Sequence, residues 1–282
     1  MMFGFDAQHT RLNPSEKTLN PGNVAALVQD WKVSIGQNAD PNTRSSSPTV
    51  SNDVIYVGST DGKLYAIDAT TGQTRWTSTA SGGPMHSSPA IADGKVYIGS
   101  DDSGLYAFNA SGRNASMCSP MWIASTQARI LSSPTVVNGV VYIGSDDGRL
   151  YAINAATGKL RWNSPSTNNR IDSSPAFANG IVYVGSADHK LYAIDAFTGN
   201  IHWISLDMGN YINSSPIVAN GVVYIGSFNS QIYAFNASTG DQLWSTTLSN
   251  AISSSPTVVN GVVYVVAQDG QLYAFHLPGT TS

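Results

Sequence analysis

Short apolar runs recur along this chain at nearly even spacing, and turn residues separate them. Segments such as GVVYIGS at 139–145 and LYAINA at 150–155 are rich in β-branched and aromatic residues, and no segment beyond Thr43 has the helical period of apolar positions. Asn-Gly pairs, as at Asn138-Gly139, lie between runs and favour tight hairpins. The pattern therefore predicts a succession of short antiparallel strands.

The strands are predicted to form six copies of one unit. The tripeptide SSP recurs about every 41 residues, with its proline at Pro48, Pro89, Pro134, Pro175, Pro216 and Pro256. Each copy continues with an apolar run, then LYAIDA or a close variant, and most end on TGxxxW. Four strands repeated at this period are typical of a β-propeller, in which blades pack face to face around a central channel.

The tyrosines occupy fixed columns of this repeat. The chain has 13 tyrosines, and all except Tyr211 fall in a second-strand or a third-strand column. The second-strand column contains Tyr56, Tyr97, Tyr142, Tyr183, Tyr224 and Tyr264, and the third-strand column contains Tyr65, Tyr106, Tyr151, Tyr192, Tyr233 and Tyr273. Because a buried tyrosine ring removes a large apolar area from water, we interpret both columns as packing between blades.

Tryptophan positions predict how the ring closes. There are six tryptophans, but the sixth SSP copy ends at His276 without a TGxxxW segment, whereas Trp31 precedes the first copy. We therefore predict that a strand from Asp30 to Val33 supplies the fourth strand of the last blade. The predicted fold is an all-β, six-bladed β-propeller of four-stranded antiparallel blades, closed by this N-terminal strand. Residues 1–282 form one domain, with a lead-in segment at 1–28 that packs on the disc and six blades at 29–282.

Charge and composition narrow the classes of partner. Only 11% of the residues are charged and the net charge is −4, without a basic cluster of the kind that binds nucleic acid. No apolar run is long enough to span a bilayer, and Met1–Asp6 is too short for a signal peptide. The low charge content is typical of exported proteins. We therefore expect a periplasmic or extracellular monomer whose signal peptide has been removed.

Four segments of the chain share one longer pattern: AIDATTGQTRW at 66–76, AINAATGKLRW at 152–162, AIDAFTGNIHW at 193–203 and AFNASTGDQLW at 234–244. They resemble AxDxxxGxxxW, the tryptophan-docking motif of the pyrroloquinoline-quinone-like β-propeller repeats. Residues 3–31 are also similar to the lead-in segment of the quinoprotein dehydrogenases. The resemblance covers nearly the whole chain and implies a bacterial propeller in which each tryptophan packs on the neighbouring blade.

The family resemblance does not extend to a quinone site. Quinone-dependent alcohol dehydrogenases of this family have eight blades, a pair of adjacent cysteines, a bound calcium ion and a catalytic Asp, whereas this chain has six copies and one cysteine, Cys118. No segment matches their calcium ligands, so we expect neither a cofactor nor a metal. A nearer likeness is to non-catalytic members, such as the propeller lipoprotein of the bacterial outer-membrane assembly machinery, which resembles an eight-bladed ring.

Two variable columns of the repeat mark a candidate ligand site. They lie five and three residues before each SSP proline, and the apolar column between them holds Met85 or an isoleucine in every copy but the first, which has Arg44. Period-two alternation sends the apolar column into the blade packing and the variable columns toward the channel mouth. The candidate ligand-binding residues are Arg129, Arg170, Tyr211, His86, Asp172 and Asn213.

The chemistry of these columns has two interpretations. The two arginines favour an anionic group, a carboxylate or a phosphate, at the channel mouth. Alternatively, Arg170 pairs with Asp172 or another local acid, and the other residues form a solvated rim. A further column consists of Asp61, Asp102, Asp147, Asp188, Asn229 and Asp269. We interpret it as turn chemistry and not as a calcium site, because side chains spread around a disc cannot converge on one ion.

These observations favour a non-catalytic scaffold or binding module, with a protein partner or a small anionic ligand on the channel-mouth face. No catalytic residue is assigned. The alternative hypothesis is an enzyme with its site at the channel mouth. It would be a lyase or a hydrolase acting on an acidic sugar, with proton abstraction by a His, Tyr and Arg group, or a quinoprotein dehydrogenase.

Overall fold

The computed structural model describes residues 6, 26–36, 45–114 and 116–278. These residues contain 24 β-strands and a short 3-10 turn at Gly112–Asn114, and no helix among them is long and apolar enough to cross a membrane. The strands form six sheets, one for each copy of the repeat. This architecture confirms the predicted all-β propeller.

Blades 1 to 3 comprise the first thirteen strands. Blade 1 contains β1 (Thr49–Ser51), β2 (Val54–Gly58), β3 (Leu64–Asp68), β4 (Thr74–Ser78) and β8 (Met117–Cys118). Blade 2 contains β5 (Ala90–Ala92), β6 (Lys95–Gly99), β7 (Gly104–Asn109) and β9 (Trp122–Ser125). Blade 3 contains β10 (Thr135–Val137), β11 (Val140–Gly144), β12 (Leu150–Asn154) and β13 (Leu160–Asn163).

Blades 4 to 6 follow the same order. Blade 4 contains β14 (Ala176–Ala178), β15 (Ile181–Gly185), β16 (Leu191–Asp195) and β17 (Ile201–Ile204). Blade 5 contains β18 (Ile217–Ala219), β19 (Val222–Gly226), β20 (Gln231–Asn236) and β21 (Gln242–Thr247). Blade 6 contains β22 (Thr257–Val259), β23 (Val262–Val266) and β24 (Leu272–Phe275).

Consecutive blades meet through two apolar faces. We call the face that a blade turns to the next blade in sequence its trailing face, and the face that it turns to the preceding blade its leading face. At the joint of blades 3 and 4, Tyr142, Leu150 and Ala152 of the trailing face pack against Ile171 and Val182 of the leading face. The same columns fill the other four joints between consecutive blades. The core therefore lies between the sheets.

An alanine carbonyl links the blades at four of these joints. At the joint of blades 3 and 4, the Ala196 oxygen accepts hydrogen bonds from the Tyr142 hydroxyl and from Trp162 Nε1, both at 3.1 Å. Corresponding tyrosine and tryptophan donors reach the carbonyls of Ala110, Ala155 and Ala237. The Trp162 indole lies against Gly199, where a Cβ would overlap the ring. These contacts explain why Tyr, Ala, Gly and Trp recur together in the repeat.

The two serines of SSP make different hydrogen bonds. The hydroxyl of the first accepts from an amide of its own blade, as Ser132 does from Gly144 at 3.2 Å, and the Ser132 hydroxyl also donates to the Ser173 carbonyl of the next blade at 3.1 Å. The second links neighbouring blades, because its amide donates to the hydroxyl of the corresponding serine in the next blade. This ladder runs from Ser47 through Ser88, Ser133, Ser174 and Ser215 to Ser255. The tripeptide therefore builds the inner wall of the propeller.

The last blade differs from the prediction. It has three strands, and residues 26–36 contain none, so within the described residues no strand around Trp31 pairs with β24. Trp31 docks on blade 1, where its Nε1 donates to the Ala69 oxygen at 3.2 Å and its ring lies against Gly72. The Ile35 carbonyl accepts a hydrogen bond from Ser59, also in blade 1. The segment is thus held by the blade that follows it, and not by β24.

Two features remain to be placed, the lead-in segment and an insertion that lengthens the second copy of the repeat between Asn109 and Trp122. The predicted packing of the lead-in segment at 1–28 falls almost entirely outside the described residues. The insertion around Cys118 adds β8 to blade 1, where it pairs in parallel with β4. The Cys118 side chain is buried, and this burial raises the pKa of its thiol.

Replacing Tyr142 by phenylalanine tests the carbonyl link. Tyr142→Phe removes one buried hydrogen bond to Ala196 and keeps the ring, so we expect the free energy of unfolding to fall by about 1 kcal/mol in chemical denaturation. Tyr264→Phe is the matched control. No hydrogen bond of the Tyr264 hydroxyl occurs among the described residues, so this variant is expected to be as stable as the wild type. Equal losses in the two variants would show that Tyr264 also has a carbonyl partner.

Candidate functional site

The loops before the first strands and after the second strands lie on one side of the propeller. In blades 2 to 6, an amide after the second strand donates to a carbonyl before the first strand, for example from Asp146 to Arg129 and from Ala187 to Arg170, both at 2.9 Å. The first strand is also the innermost of each sheet, because neighbouring first strands lie beside one another. The two variable columns therefore meet at the channel mouth.

A row of charged and aromatic side chains crosses blades 2 to 5 on this side. We call it the polar arc, and it consists of His86, Asp101, Arg129, Asp146, Asp172, Arg170 and Tyr211. Each of the four blades contributes at least one member. The arc therefore unites five of the six residues predicted from the sequence with two that were not predicted.

The first half of the arc consists of a histidine–carboxylate contact and an arginine–carboxylate ion pair. His86 Nδ1 lies 3.2 Å from a carboxylate oxygen of Asp101, and an Nη of Arg129 lies 2.8 Å from a carboxylate oxygen of Asp146. The His86–Asp101 pair is largely buried, whereas 56% of the Arg129 side chain is exposed. Arg129 thus combines a fixed carboxylate partner with a surface that a second molecule can reach.

Two carboxyl groups join blades 3 and 4. Burial raises the pKa of Asp146, and a hydrogen bond with Asp172 together with the charge of Asp172 raises it further, whereas Arg129 opposes the shift. Because two carboxylates repel at close range, one of a hydrogen-bonded pair binds a proton more tightly than an isolated aspartate. The pKa of Asp146 is therefore raised by its burial and by a carboxyl neighbour in the next blade, and Arg129 limits the rise.

The second half of the arc reaches the surface at Arg170 and Tyr211. Arg170 Nε lies 3.1 Å from an oxygen of the buried Asp172, and its guanidinium carbon lies 5.6 Å from the centre of the Tyr211 ring. The Tyr211 ring also lies beside the His189 ring, with 5.7 Å between the ring centres. Tyr211 remains 44% exposed and 38% of the Arg170 side chain is exposed. These contacts hold an exposed cation and an exposed aromatic ring in one orientation.

The predicted pairing of Arg170 with a local acid is therefore present, but the surrounding residues are more than a solvated rim. The polar atoms His86 Nε2 and Asn213 Oδ1 are buried without a hydrogen-bond partner among the described residues. Asn213 is the predicted residue that no observed side-chain contact connects to the arc.

Asp101 and Asp146 were missed by the sequence reasoning. They occupy the column directly after the Gly-Ser of blades 1 to 5 and the Val-Ala of blade 6, which reads Thr60, Asp101, Asp146, Ala187, Phe228 and Gln268. This column varies among polar and apolar types, as the two chosen columns do, and variation was the signal that could have identified it. His189 was missed because it lies in a turn column that was assigned no role, and this column reads Gly62, Ser103, Gly148, His189, Ser230 and Gly270.

The carboxylates of the column that begins with Asp61 accept hydrogen bonds within their turns, as the sequence analysis proposed. In blade 3, Asp147 Oδ1 accepts a hydrogen bond from the Arg149 amide at 2.9 Å, and its other oxygen accepts one from the Tyr151 hydroxyl. Equivalent bonds recur at Asp61, Asp102 and Asp188. The third-strand tyrosines are thus anchored to the turns at the channel-mouth side.

The residues do not fit a quinone site of the kind found in the dehydrogenases that the sequence resembles. Those enzymes place adjacent cysteines beside the cofactor, but the single cysteine, Cys118, is buried against β4 in blade 1, away from the polar arc. Among residues 26–36, 45–114 and 116–278, no group of three or more His, Cys, Asp and Glu side chains is arranged to hold a metal ion.

Asp146→Asn is expected to change how stability depends on pH. Because the pKa of Asp146 is raised by folding, its contribution to stability is fully present below the ordinary aspartate pKa and is lost as the pH rises through the folded value. An asparagine cannot release this proton, so the stability of the variant relative to the wild type should rise with pH. Chemical unfolding over a pH series measures the difference.

Asp195→Asn provides a control of opposite sign. Hydrogen bonds from the side chain and amide of Thr198 lower the pKa of Asp195, so its contribution is present at neutral pH and is lost as the pH falls through the folded value. The stability of this variant relative to the wild type should therefore fall as the pH rises. Trends of the same sign in the two variants would contradict a raised pKa at Asp146.

Comparisons with known proteins identify the family of this chain. The family model described as "Outer membrane protein assembly factor BamB" matches residues 22–115, 119–215 and 205–281. An outer membrane protein assembly factor BamB from Marinobacter adhaerens is 40% identical over 48 residues, which is 17% of this chain. That match spans only 12% of the length of the relative.

Solved structures show the same fold. The crystal structure of a computationally designed protein, Ika8, has a TM-score of 0.74 at 16% identity and covers 83% of this chain and 71% of its own. BamB from Moraxella catarrhalis has a TM-score of 0.67 at 22% identity, with 81% of this chain and 71% of BamB covered. Because the family model matches most of the residues, this chain belongs to the BamB family of pyrroloquinoline-quinone-like β-propeller repeats.

Proposed function

We propose that this chain is a non-catalytic binding platform of the bacterial periplasm, and that a protein partner docks on the channel-mouth face over the polar arc. The observation that carries this proposal is the exposed Arg170–Tyr211 pair, in which the buried carboxylate of Asp172 holds Arg170 against the Tyr211 ring. Arginine and tyrosine are enriched among the residues that dominate protein interfaces. A preorganised pair loses little conformational entropy when a partner binds.

The charge balance of the arc favours a protein over a small anion. Arg129 and Arg170 already have Asp146 and Asp172 as partners, and Asp101 adds a further carboxyl group. The arc therefore has little excess positive charge to attract a free carboxylate or phosphate. A protein surface with an acidic or amide side chain beside an apolar one suits the remaining donors of Arg170 and the face of Tyr211.

The family supports the choice of a platform over an enzyme. Its relatives are described as outer membrane protein assembly factors, a name that indicates assembly and not catalysis. By analogy, we propose that this chain also assists assembly of proteins at the outer membrane. The low content of charged residues agrees with an exported protein.

Site-specific photo-crosslinking in the native cells tests the docking face. A photoreactive amino acid at Tyr211 is expected to form a crosslink to a discrete protein partner. The same amino acid at the exposed Thr70, in the turn between β3 and β4 at the opposite side, should not form it. Arg170→Ala in the protein labelled at Arg129 should reduce the crosslink at least several-fold, because it removes a cation from the interface centre.

Arg75→Ala is the matched control for Arg170→Ala. Arg75 also pairs with an aspartate, Asp68, at 2.6 Å and has a similar exposure, but it lies away from the arc. The control variant should keep the crosslink at the wild-type level. Equal crosslinking at positions 211 and 70, or an equal loss in both arginine variants, would refute docking on this face.

A further inference from the structure

The fourth strands of blades 1 to 5 form the outer rim of the propeller. Their outer sides have no partner strand among the described residues, except in blade 1, where β8 pairs with β4. A free sheet edge presents unpaired amides and carbonyls to other chains, so proteins protect such edges with charged side chains, with proline or with a covering segment. The five edges can therefore be compared by their protection.

Four of the five edges have at least one of these protective features. The β8 segment covers β4 in blade 1, and Pro120 lies just before β9 in blade 2. In blade 3, Arg161 lies within β13 and Pro165 follows it closely. In blade 5, Asp241 lies directly before β21. Each of these strands is thereby a poor template for a further strand.

The outer side of β17 in blade 4, which we call the blade 4 edge, has none of these features. Residues 196–206 contain no Lys, Arg, Asp, Glu or Pro. Ile204 and Leu206 are 45% and 48% exposed along the edge, and Phe197, in the turn that leads into β17, is 79% exposed. Apolar side chains beside an unprotected edge are typical of a surface that associates with another chain.

The backbone of the blade 4 edge also presents hydrogen-bond donors. The Ser205 amide donates inward to the Leu191 carbonyl at 2.9 Å. Because alternate amides of a strand point to opposite sides, the amides of Ile204 and Leu206 point outward. Within the described part of the chain, the Leu206 amide makes no hydrogen bond. Two outward donors and two exposed apolar side chains therefore lie on the same edge.

Blade 1 contains an example of what such an edge binds. The two outward amides of blade 4 correspond in position to those of Thr77 and Thr79. In blade 1 these amides donate to the carbonyls of Ser116 and Cys118, both at 3.0 Å. The segment that accepts them runs parallel to β4, and its Cys118 side chain is buried. An extended segment with a small apolar residue is thus a ligand that this type of edge accepts within the chain itself.

We propose that the blade 4 edge is a second docking surface, where an extended apolar segment of another protein adds a fifth strand parallel to β17. The carbonyls of that segment accept from the outward amides, and a small apolar residue lies opposite Ser205, as Cys118 lies opposite Ser78. Main-chain hydrogen bonds supply the affinity of this mode of binding, and side chains supply its specificity. Every described strand of this chain already belongs to one of its six sheets, so the free segment has to come from another protein.

Photo-crosslinking at matched positions of two blades tests this surface. A photoreactive amino acid in place of Ile204 should crosslink to a discrete protein in the native cells. The same amino acid at the exposed Asn163, the corresponding position of blade 3, should not. Leu206→Pro should reduce the crosslink from position 204 at least several-fold, because proline has no amide donor. Leu206→Ala keeps the amide and should retain most of the crosslink.

Blade 3 indicates that proline fits at this position. Ser164 before Pro165 makes the same hydrogen bonds as Ser205 before Leu206. Each serine amide donates to the third strand of its blade at 2.9 Å, and each hydroxyl donates to the carbonyl of the following residue, at 2.9 and 2.8 Å. Thermal melting of Leu206→Pro should therefore match the wild type. Leu206→Lys, which charges the edge and keeps the amide, is a second variant that should also reduce the crosslink.

A crosslink in the wild type is not sufficient support, because the proposal requires the proline and alanine variants to differ. Equal yields in these two variants would overturn it. So would the absence of a crosslink at position 204, or an equal crosslink at position 163. A product of about twice 29.8 kDa would assign the edge to a second copy of this chain and would also overturn the proposed partner. None of these outcomes depends on the polar arc, so docking there is tested separately.

Discussion

The joint between blades depends on one carbonyl group that accepts two side-chain donors. At Ala196, the Tyr142 hydroxyl arrives from the second strand of blade 3 and Trp162 Nε1 arrives from its fourth strand. A single acceptor can hold both donors because a carbonyl oxygen has two lone pairs. The geometry fixes the distance between sheets, since the indole also lies against Gly199, where only a hydrogen fits. Angle and spacing are thereby set at the outer rim, while the serine ladder sets them at the channel.

Blade spacing is set at the outer rim and at the inner wall, so side chains at the channel mouth can serve binding instead of packing. The serine ladder holds the inner wall at all five joints and the alanine carbonyls hold the rim at four of them, so the loops at the channel mouth need not set the blade spacing. Their backbones are still tied together, as by the bond from the Asp146 amide to the Arg129 carbonyl. Side chains there can vary without loss of the scaffold. The polar arc consists of such variable side chains from blades 2 to 5. Asp146 of blade 3 and Asp172 of blade 4 form a carboxyl pair across one joint.

The repeat predicts the fold well because each copy has the same apolar and turn positions. The first hairpins of blades 3 to 6 follow from Asn-Gly, and the pairing of the second and third strands follows from the alternation of Tyr, Ala and Leu. The site is predicted less completely. His86, Arg129, Arg170, Asp172 and Tyr211 follow from alternation, which sends them to the mouth. The Asp146–Asp172 contact does not, because it depends on how far two blades are rotated against each other, and a linear pattern contains no such angle.

The same limit explains the difference at the ring end. Counting tryptophans pairs Trp31 with the copy that lacks one, and the indole does make the hydrogen bond that this pairing requires, at Ala69. Counting cannot show whether six blades rotate far enough to bring β24 to that strand. Rotation per blade is fixed by five close-packed joints, and close-packed interiors resist continuous deformation. The position of β24 relative to Trp31 is the sum of the rotations at these five joints, so the order of residues within one repeat cannot predict it.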